Sequence, residues 1–193
     1  SISNTTTAPI KVLDAKKVIL TLADNTTNTI TDSSRLSTEE DYSAAIYSKE
    51  DLIINGNGTL NVNAGYRNGI KSTDDCIIVS GTLNITSTED GIIGKDLCGV
   101  VAGDININAG SDGIKSTYDT DTTKGNVIIE GGNITIKASN DGIQAENILV
   151  INDGAINIKT NNGAADTTQT HIDNMDMGRG GFGFNNNKTT TTT

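Results

Sequence analysis

The 193-residue sequence predicts an all-β fold: a parallel β-helix, with about 22 residues per coil and about six to seven coils. Three observations predict it. First, a strand motif returns in phase: Gly-Thr-Leu-Asn-Val from Gly58, Gly-Thr-Leu-Asn-Ile from Gly81, Gly-Asp-Ile-Asn-Ile from Gly103, Gly-Asn-Ile-Thr-Ile from Gly132 and Gly-Ala-Ile-Asn-Ile from Gly154. The spacings are 23, 22, 29 and 22 residues. Second, a Gly-Ile marker keeps the same period as Asn68-Gly69-Ile70, Asp90-Gly91-Ile92, Asp112-Gly113-Ile114 and Asp141-Gly142-Ile143. Asn162-Gly163-Ala164 closes that series, and Ala45-Ile46 reads as a degenerate first member. Third, 3% of residues are aromatic, Trp is absent and there are 21 Gly. Without large rings to supply buried area, the core has to be rows of stacked Ile, Leu and Val.

The elements follow in order. Residues 1–10 read as a loosely tied lead-in, residues 17–22 as a strand, and residues 25–42 as a polar loop. Beyond them each coil holds three short strands. The pairs Leu60/Val62, Leu83/Ile85, Ile105/Ile107, Ile134/Ile136 and Ile156/Ile158 alternate with polar residues, the period of a strand with one buried face. A second apolar run recurs as Cys76-Ile-Ile-Val, Val127-Ile-Ile and Ile148-Leu-Val-Ile. The Gly-Ile marker supplies the third strand after a turn that Gly permits. No stretch has helical periodicity, and a leucine-rich repeat would need its own consensus and a helical half. No coil of such a stack is stable alone. The 29-residue coil carries seven extra residues around Tyr118–Lys124. Periodicity stops after Ala165, so residues 1–165 read as a single domain and 166–193 as a Gly/Asn/Thr-rich irregular or flexible tail.

Charge narrows the function. A net charge of −10 argues against nucleic acid, whose phosphates need clustered Lys and Arg. No run of about 18 apolar residues exists to enter a bilayer. His171 is the single His and lies outside the repeats, which excludes catalytic triads and zinc sites. Cys76 and Cys98 share one position in adjacent coils. That predicts a buried stack of small side chains, with an inter-coil disulfide as the alternative.

Stacking turns sequence spacing into neighbourhood. The residue before Gly-Ile forms one row, Asn68, Asp90, Asp112, Asp141 and Asn162; a second row holds Asp74, Asp96, Asp119 and Glu146. Carboxylates about 5 Å apart repel and raise one another's pKa. Lys71, Lys95 and Lys115 offset part of that charge, and Ca²⁺, which takes 6–8 oxygen ligands, answers the rest. Several ions are expected, and the inserted loop with Asp119 and Asp121 is placed to cap one of them. The competing reading is a solvated acidic edge. The ladder is not an EF-hand, whose ligand spacing is missing, and Asp74-Asp75 alone does not make a glycosidase. On the outward face Tyr47, Lys71 and Lys115 fall two residues after the marker, near Tyr66, Arg67 and Tyr118. Aromatic rings with cations beside bound calcium suit a sugar chain bearing hydroxyls and carboxylates.

The stretch Ala-Ala-Ile-Tyr-Ser-Lys-Glu-Asp-Leu-Ile-Ile-Asn-Gly-Asn-Gly-Thr-Leu-Asn-Val, together with Tyr66-Arg-Asn-Gly-Ile-Lys-Ser-Thr-Asp-Asp, Glu89-Asp-Gly-Ile-Ile-Gly-Lys-Asp and Ser111-Asp-Gly-Ile-Lys-Ser, resembles a bacterial carbohydrate-binding family of the Clostridium thermocellum type. The likeness runs from about Lys16 to Ala165, and the tail with Gly178-Arg-Gly-Gly-Phe-Gly also fits. The resemblance implies a right-handed, pectate-lyase-like parallel β-helix at the cell surface or secreted, with bound calcium. It also implies binding of cellulose and acidic sugars such as polygalacturonate, without catalysis. By position it makes Asp90, Asp112, Asp141, Asp96 and Asp119 metal ligands. The chain departs from the pattern at Asn68 and Asn162, where the acid is an amide.

The expected function is therefore calcium-dependent, non-catalytic recognition of plant cell-wall polysaccharide by an extracellular or cell-surface monomer, with end-to-end or tail-mediated association as the alternative. Two other functions stay open. One is a calcium-dependent pectate lyase with Lys115 or Lys71 as base. The other is a structural cell-surface adhesin in which the solenoid is a spacer.

Overall fold

The computed structural model describes residues 1–33 and 42–160. The expected boundary at Ala165, the tail and Asn162 lie outside the described residues. Nineteen strands wind through three parallel sheets among the described residues. β1 (Ile2–Asn4) precedes the first full coil, which is β2 (Ile10–Val12), β3 (Val18–Leu22) and β4 (Thr27–Asp32). The second coil is β5 (Ala44–Ser48), β6 (Leu52–Gly56) and β7 (Thr59–Ala64); the third is β8 (Asn68–Ser72), β9 (Cys76–Ile78) and β10 (Thr82–Ser87). The fourth is β11 (Ile92–Gly94), β12 (Leu97–Val100) and β13 (Asp104–Ala109). The inserted loop leads from β14 (Ile114–Lys115) to β15 (Asn126–Ile129), and β16 (Asn133–Ala138) completes the fifth. The last is β17 (Ile143–Gln144), β18 (Leu149–Ile151) and β19 (Ala155–Thr160).

Every pairing is between strands one coil apart, so the sheet orders β1-β4-β7-β10-β13-β16-β19, β17-β14-β11-β8-β5-β2 and β18-β15-β12-β9-β6-β3 each run the length of the stack. The fold is the expected parallel β-helix, six coils in the described residues. Registers match the repeats residue for residue: Leu60, Leu83, Ile105, Ile134 and Ile156 form one inward row, and Val62, Ile85, Ile107, Ile136 and Ile158 the next. Most of these side chains are fully buried. At roughly 25 cal/mol per Å² of apolar area, such rows supply the main driving force, and neighbouring coils share it. The final coil lacks a neighbour among the described residues, leaving Leu149, Ile151 and Ile158 about half-exposed.

The turn into each long strand and the marker both depend on Gly. Gly103 has φ 117°, a conformation that L side chains avoid. A Cβ on Gly69 would lie 2.5 Å from Ile85 Cγ2 and 2.6 Å from the Gly91 carbonyl oxygen, so the coils close up at this column because it has no side chains.

The amino-terminal region departs from the sequence reading. Residues 1–10 contribute β1 and the start of β2, and β4 lies inside the expected polar loop. β4 was hidden by its composition: the position equivalent to Leu60 is Asn28, so the apolar alternation is broken while backbone pairing persists. Cys76 and Cys98 pair in register, both are buried, and both are free thiols. The stack of small side chains holds, and the disulfide alternative does not. Burial pushes both thiols up, that of Cys98 to about 12. No helix among the described residues is long and apolar enough to cross a membrane.

Candidate functional site

The two expected acidic rows separate in space and chemistry. In the marker row Asn68, Asp90 and Asp112 each reach along the solenoid axis and accept from the next coil's backbone. Asp90 N–H donates to Asn68 Oδ1 (3.1 Å), Asp112 N–H to Asp90 Oδ1 (3.0 Å), and Asp141 N–H to Asp112 Oδ1 (2.9 Å). Asn68 is an amide for a local reason: its Nδ2 also donates to the Ser43 carbonyl at 2.8 Å.

Asp112 is 1% exposed. Besides Asp141 N–H, it accepts from Asn140 Nδ2 at 2.8 Å and Lys115 Nζ at 2.6 Å. Burial alone would raise its carboxyl, but these hydrogen bonds outweigh burial and hold it below the ordinary range. Both oxygens are engaged, so Asp112 acts as an inter-coil cap in place of the expected metal ligand. Asp90 serves the same ladder, and Asp141 is exposed at its end.

The second row turns into a corner between the marker sheet and the sheet containing β9. One carboxylate oxygen from each of Asp51, Asp74 and Asp75 lies within 4.8 Å of the others. All three residues are half-buried. Burial pushes the Asp75 carboxyl up, and the Asp51 and Asp74 charges push it further. Asp74 is raised by burial, by a hydrogen bond with the Asp96 side chain, and by Asp51. Asp96 is buried and ion-paired with Lys124 from the inserted loop. A cavity of about 370 Å³ opens here, lined by Asp74, Asp75, Asp96, Thr123, Lys124 and Asn126 among others. Asn126 Oδ1 is buried without a hydrogen-bond partner.

Asp51 and Asp75 were missed because the repeats were aligned on the Gly marker. The signal lay in Asp-Leu-Ile-Ile and Asp-Cys-Ile-Ile: Leu52 pairs Cys76, which stacks the acid before each, and Lys17 stands 3.8 Å from Asp51 at the head of that column. Asp119, Asp121 and Glu146 are not part of the three-carboxylate cluster. Asp119 and Glu146 are exposed. Asp121 shapes its own loop, accepting from Thr123 N–H at 2.9 Å and Thr123 Oγ1 at 2.7 Å, bonds that pull its pKa down.

The outward residues also scatter. Tyr47 is 4% exposed and sits edge-on to Tyr42, with ring centroids 5.4 Å apart, beside Ala8 and Ala44. It belongs to a small apolar cluster, and its expected sugar-binding role is withdrawn. Tyr47, Lys71, Ile93, Lys115 and Gln144 share one column, so buried Ile93 parts the two lysines. Lys71 Nζ lies 3.3 Å from Ser43 Oγ; burial, then Arg67, pulls its pKa down. Burial would lower Lys115 too, but Asp112 and the neighbouring acids raise it, which leaves it a poor proton acceptor. Arg67 pairs with Glu89 at 3.3 Å and lies 6.0 Å from the Tyr66 ring centroid. Tyr118 stands beside the acidic corner, with Lys95 and Lys124 ammonium groups 4.9 and 5.0 Å from its ring centroid.

Three similarities bear on this arrangement. A family profile described as "Carbohydrate-binding domain-containing protein" matches residues 1–188. A protein of that description from Acetivibrio thermocellus is 39% identical over 89 residues, covering 44% of this chain and 31% of the relative. The chain thus matches about a third of that relative's length. A solved polysaccharide lyase-like protein from C. thermocellum, determined as a gadolinium derivative, superposes with a TM-score of 0.70 at 33% identity. That superposition covers 82% of this chain and 69% of the other. The stacked repeats, the shared fold and the profile match over nearly the whole chain place it in the family of carbohydrate-binding domain-containing proteins.

Proposed function

We propose that the chain is a non-catalytic, calcium-binding module that holds plant cell-wall polysaccharide, cellulose or acidic sugars such as polygalacturonate, outside the cell or on its surface. The observation that carries the reading is the corner where Asp51, Asp74 and Asp75 bring carboxylate oxygens within 4.8 Å of one another. Like charges so close raise one another's pKa and destabilise the fold unless a cation joins them. The donor set suits a hard cation: carboxylates, plus the orphaned Asn126 Oδ1 in the same cavity. The related structure's gadolinium derivative accords with this, since gadolinium is likewise a hard, oxygen-seeking ion.

Asp51, Asp74, Asp75 and Asn126 would hold the ion, with Asp96 next to them. Bound there, calcium supplies charge neutralisation between an acidic protein and an acidic glycan. The chain's own residues do the rest: Lys124, paired with Asp96, lines the cavity, and both it and Lys95 approach the Tyr118 ring, a cationic edge for a uronate carboxylate. The lyase alternative needs a neutral amine as base; the Lys115–Asp112 pair keeps Lys115 charged, which leaves Lys71, its pKa lowered by burial, as the base that reading would need.

The test is calorimetric titration of EDTA-stripped protein with CaCl₂. A Kd of about 10⁻⁴–10⁻³ M is expected, the range of extracellular calcium modules, weakening by about tenfold or more in Asp74→Asn/Asp75→Asn as coordinating charge is lost. Polygalacturonate affinity should fall with it, and no unsaturated uronate should accumulate. Calcium binding unchanged in the double variant would remove the corner from the account.

A further inference from the structure

Among the described residues, the outer face of the seven-stranded sheet differs from the outer faces of the other two sheets. Six of its strands, β4, β7, β10, β13, β16 and β19, each turn three residues outward, in register from coil to coil. Of these eighteen positions seven are Thr, seven Asn, two Lys, one Asp and one Ala. In a chain with 24 acidic residues, these strands therefore place one acid, Asp104, among their outward positions. The outer face of the β9-containing sheet is aliphatic instead, with Ile19, Val79 and Val101 exposed. The marker sheet presents Lys71 and Lys115, already engaged, and the buried Tyr47.

The central column is pre-ordered. Asn106 Nδ2 donates to Asn84 Oδ1 at 3.1 Å, and Asn84 Nδ2 to Asn61 Oδ1 at 2.9 Å. An amide has two N–H donors and two lone pairs, so within this ladder Asn84 keeps one of each for a ligand while its rotamer is fixed. A shallow hollow of about 260 Å³ lies over the ladder, lined by Asn84, Thr86, Asn106, Asn108, Thr135 and Lys137 with backbone between them.

We propose that this face is a second glycan-binding surface, taking an uncharged, extended β-linked polysaccharide chain along the solenoid axis without a metal. The inference rests on the carbohydrate-binding reading and adds to it the location at which an uncharged chain would lie. A neutral chain fits because almost no charge has to be desolvated, while amides and hydroxyls exchange water for sugar hydroxyls. Thr methyl groups meet the sugar's C–H surface. The coil rise of about 4.8 Å is close to the advance of such a chain per ring, and because each ring is turned over relative to the last, alternate sugars meet alternate coils in similar ways. With no aromatic ring among these eighteen outward positions, binding is built from many weak contacts and strengthens with chain length.

Retention on swollen amorphous cellulose in EDTA, and titration with cellohexaose, test this. Wild type should bind, and Asn84→Ala/Asn106→Ala should bind about tenfold more weakly, the loss expected for one hydrogen bond to each amide. Asp74→Asn/Asp75→Asn should bind cellulose as wild type does. Thr86→Glu, at an exposed position outside the ladder hydrogen bonds, should lose cellulose binding with an unchanged melting temperature. Wild-type binding that Thr86→Glu leaves intact would overturn the location. Retention of wild type on polygalacturonate with calcium but not on cellulose would overturn this inference and leave the calcium reading standing. Retention on neither would remove the carbohydrate-binding reading itself.

Discussion

Replacing Asp112 discriminates sharply between a structural cap and a metal ligand. Its carboxylate is 1% exposed and accepts three hydrogen bonds, from Asp141 N–H, Asn140 Nδ2 and Lys115 Nζ. Asp112→Ala strands all three donors. Breaking a buried charge pair by removing one partner costs about 3–5 kcal/mol, and a chain of this size loses about 2–4 °C per kcal/mol, so the melting temperature should fall by roughly 6–20 °C. Asp112→Asn keeps an oxygen for Asp141 N–H but loses the charge-assisted bond, about 1.5–3 kcal/mol. The pH dependence carries a sign. The folded Asp112 pKa is depressed, so its contribution is present above the unfolded value of about 3.9 and is lost as pH falls through the lower folded value. The wild-type advantage over Asp112→Asn, measured by circular dichroism melts, should be flat near neutrality and shrink below about pH 4. Loss of calcium affinity in Asp112→Asn at an unchanged melting temperature would refute the capping role and restore the residue to a metal site.

Three further outcomes follow from packing. Gly69→Ala sets a Cβ against Ile85 and the Gly91 backbone and should cost about 3 kcal/mol or more; a variant with wild-type urea midpoint would contradict the close-approach argument. Ile85→Ala, at 2% exposure, should cost about 2–5 kcal/mol, while Ile158→Ala, at 42% exposure in the last described coil, should cost less; equal losses would mean that the end coil is covered in solution. Cys76 and Cys98 should resist iodoacetamide in the folded protein and give two adducts in denaturant, since both are buried with raised pKa; rapid labelling of the native protein would contradict the core assignment.

Much of the fold was legible because a solenoid writes its contacts into its period. The rows from Leu60 to Ile156 and from Val62 to Ile158 could be read directly, as could the Gly column that lets coils approach. The first coil could not: Asn28 stands where later coils have Leu or Ile, and β1 and β2 are held by edge pairing that leaves little trace in three-residue strands. The site was half legible. Spacing shows that Asp90 and Asp112 stack, but not that their oxygens point along the axis to the next N–H. Aligning on Gly concealed Asp51 and Asp75, whose shared feature is the apolar run that follows them. Tyr47 looked outward by register and does point away from the inward rows, but the non-repetitive Ala8 and Tyr42 cover it, and no period reports that.

The most direct test of the central claim is retention of the protein on immobilised polygalacturonate, with calcium and again with EDTA. The account predicts retention in calcium, release by EDTA, and loss of the calcium-dependent fraction in Asp74→Asn/Asp75→Asn. Passage through the column in both buffers, or retention that EDTA and the double variant leave untouched, would contradict it.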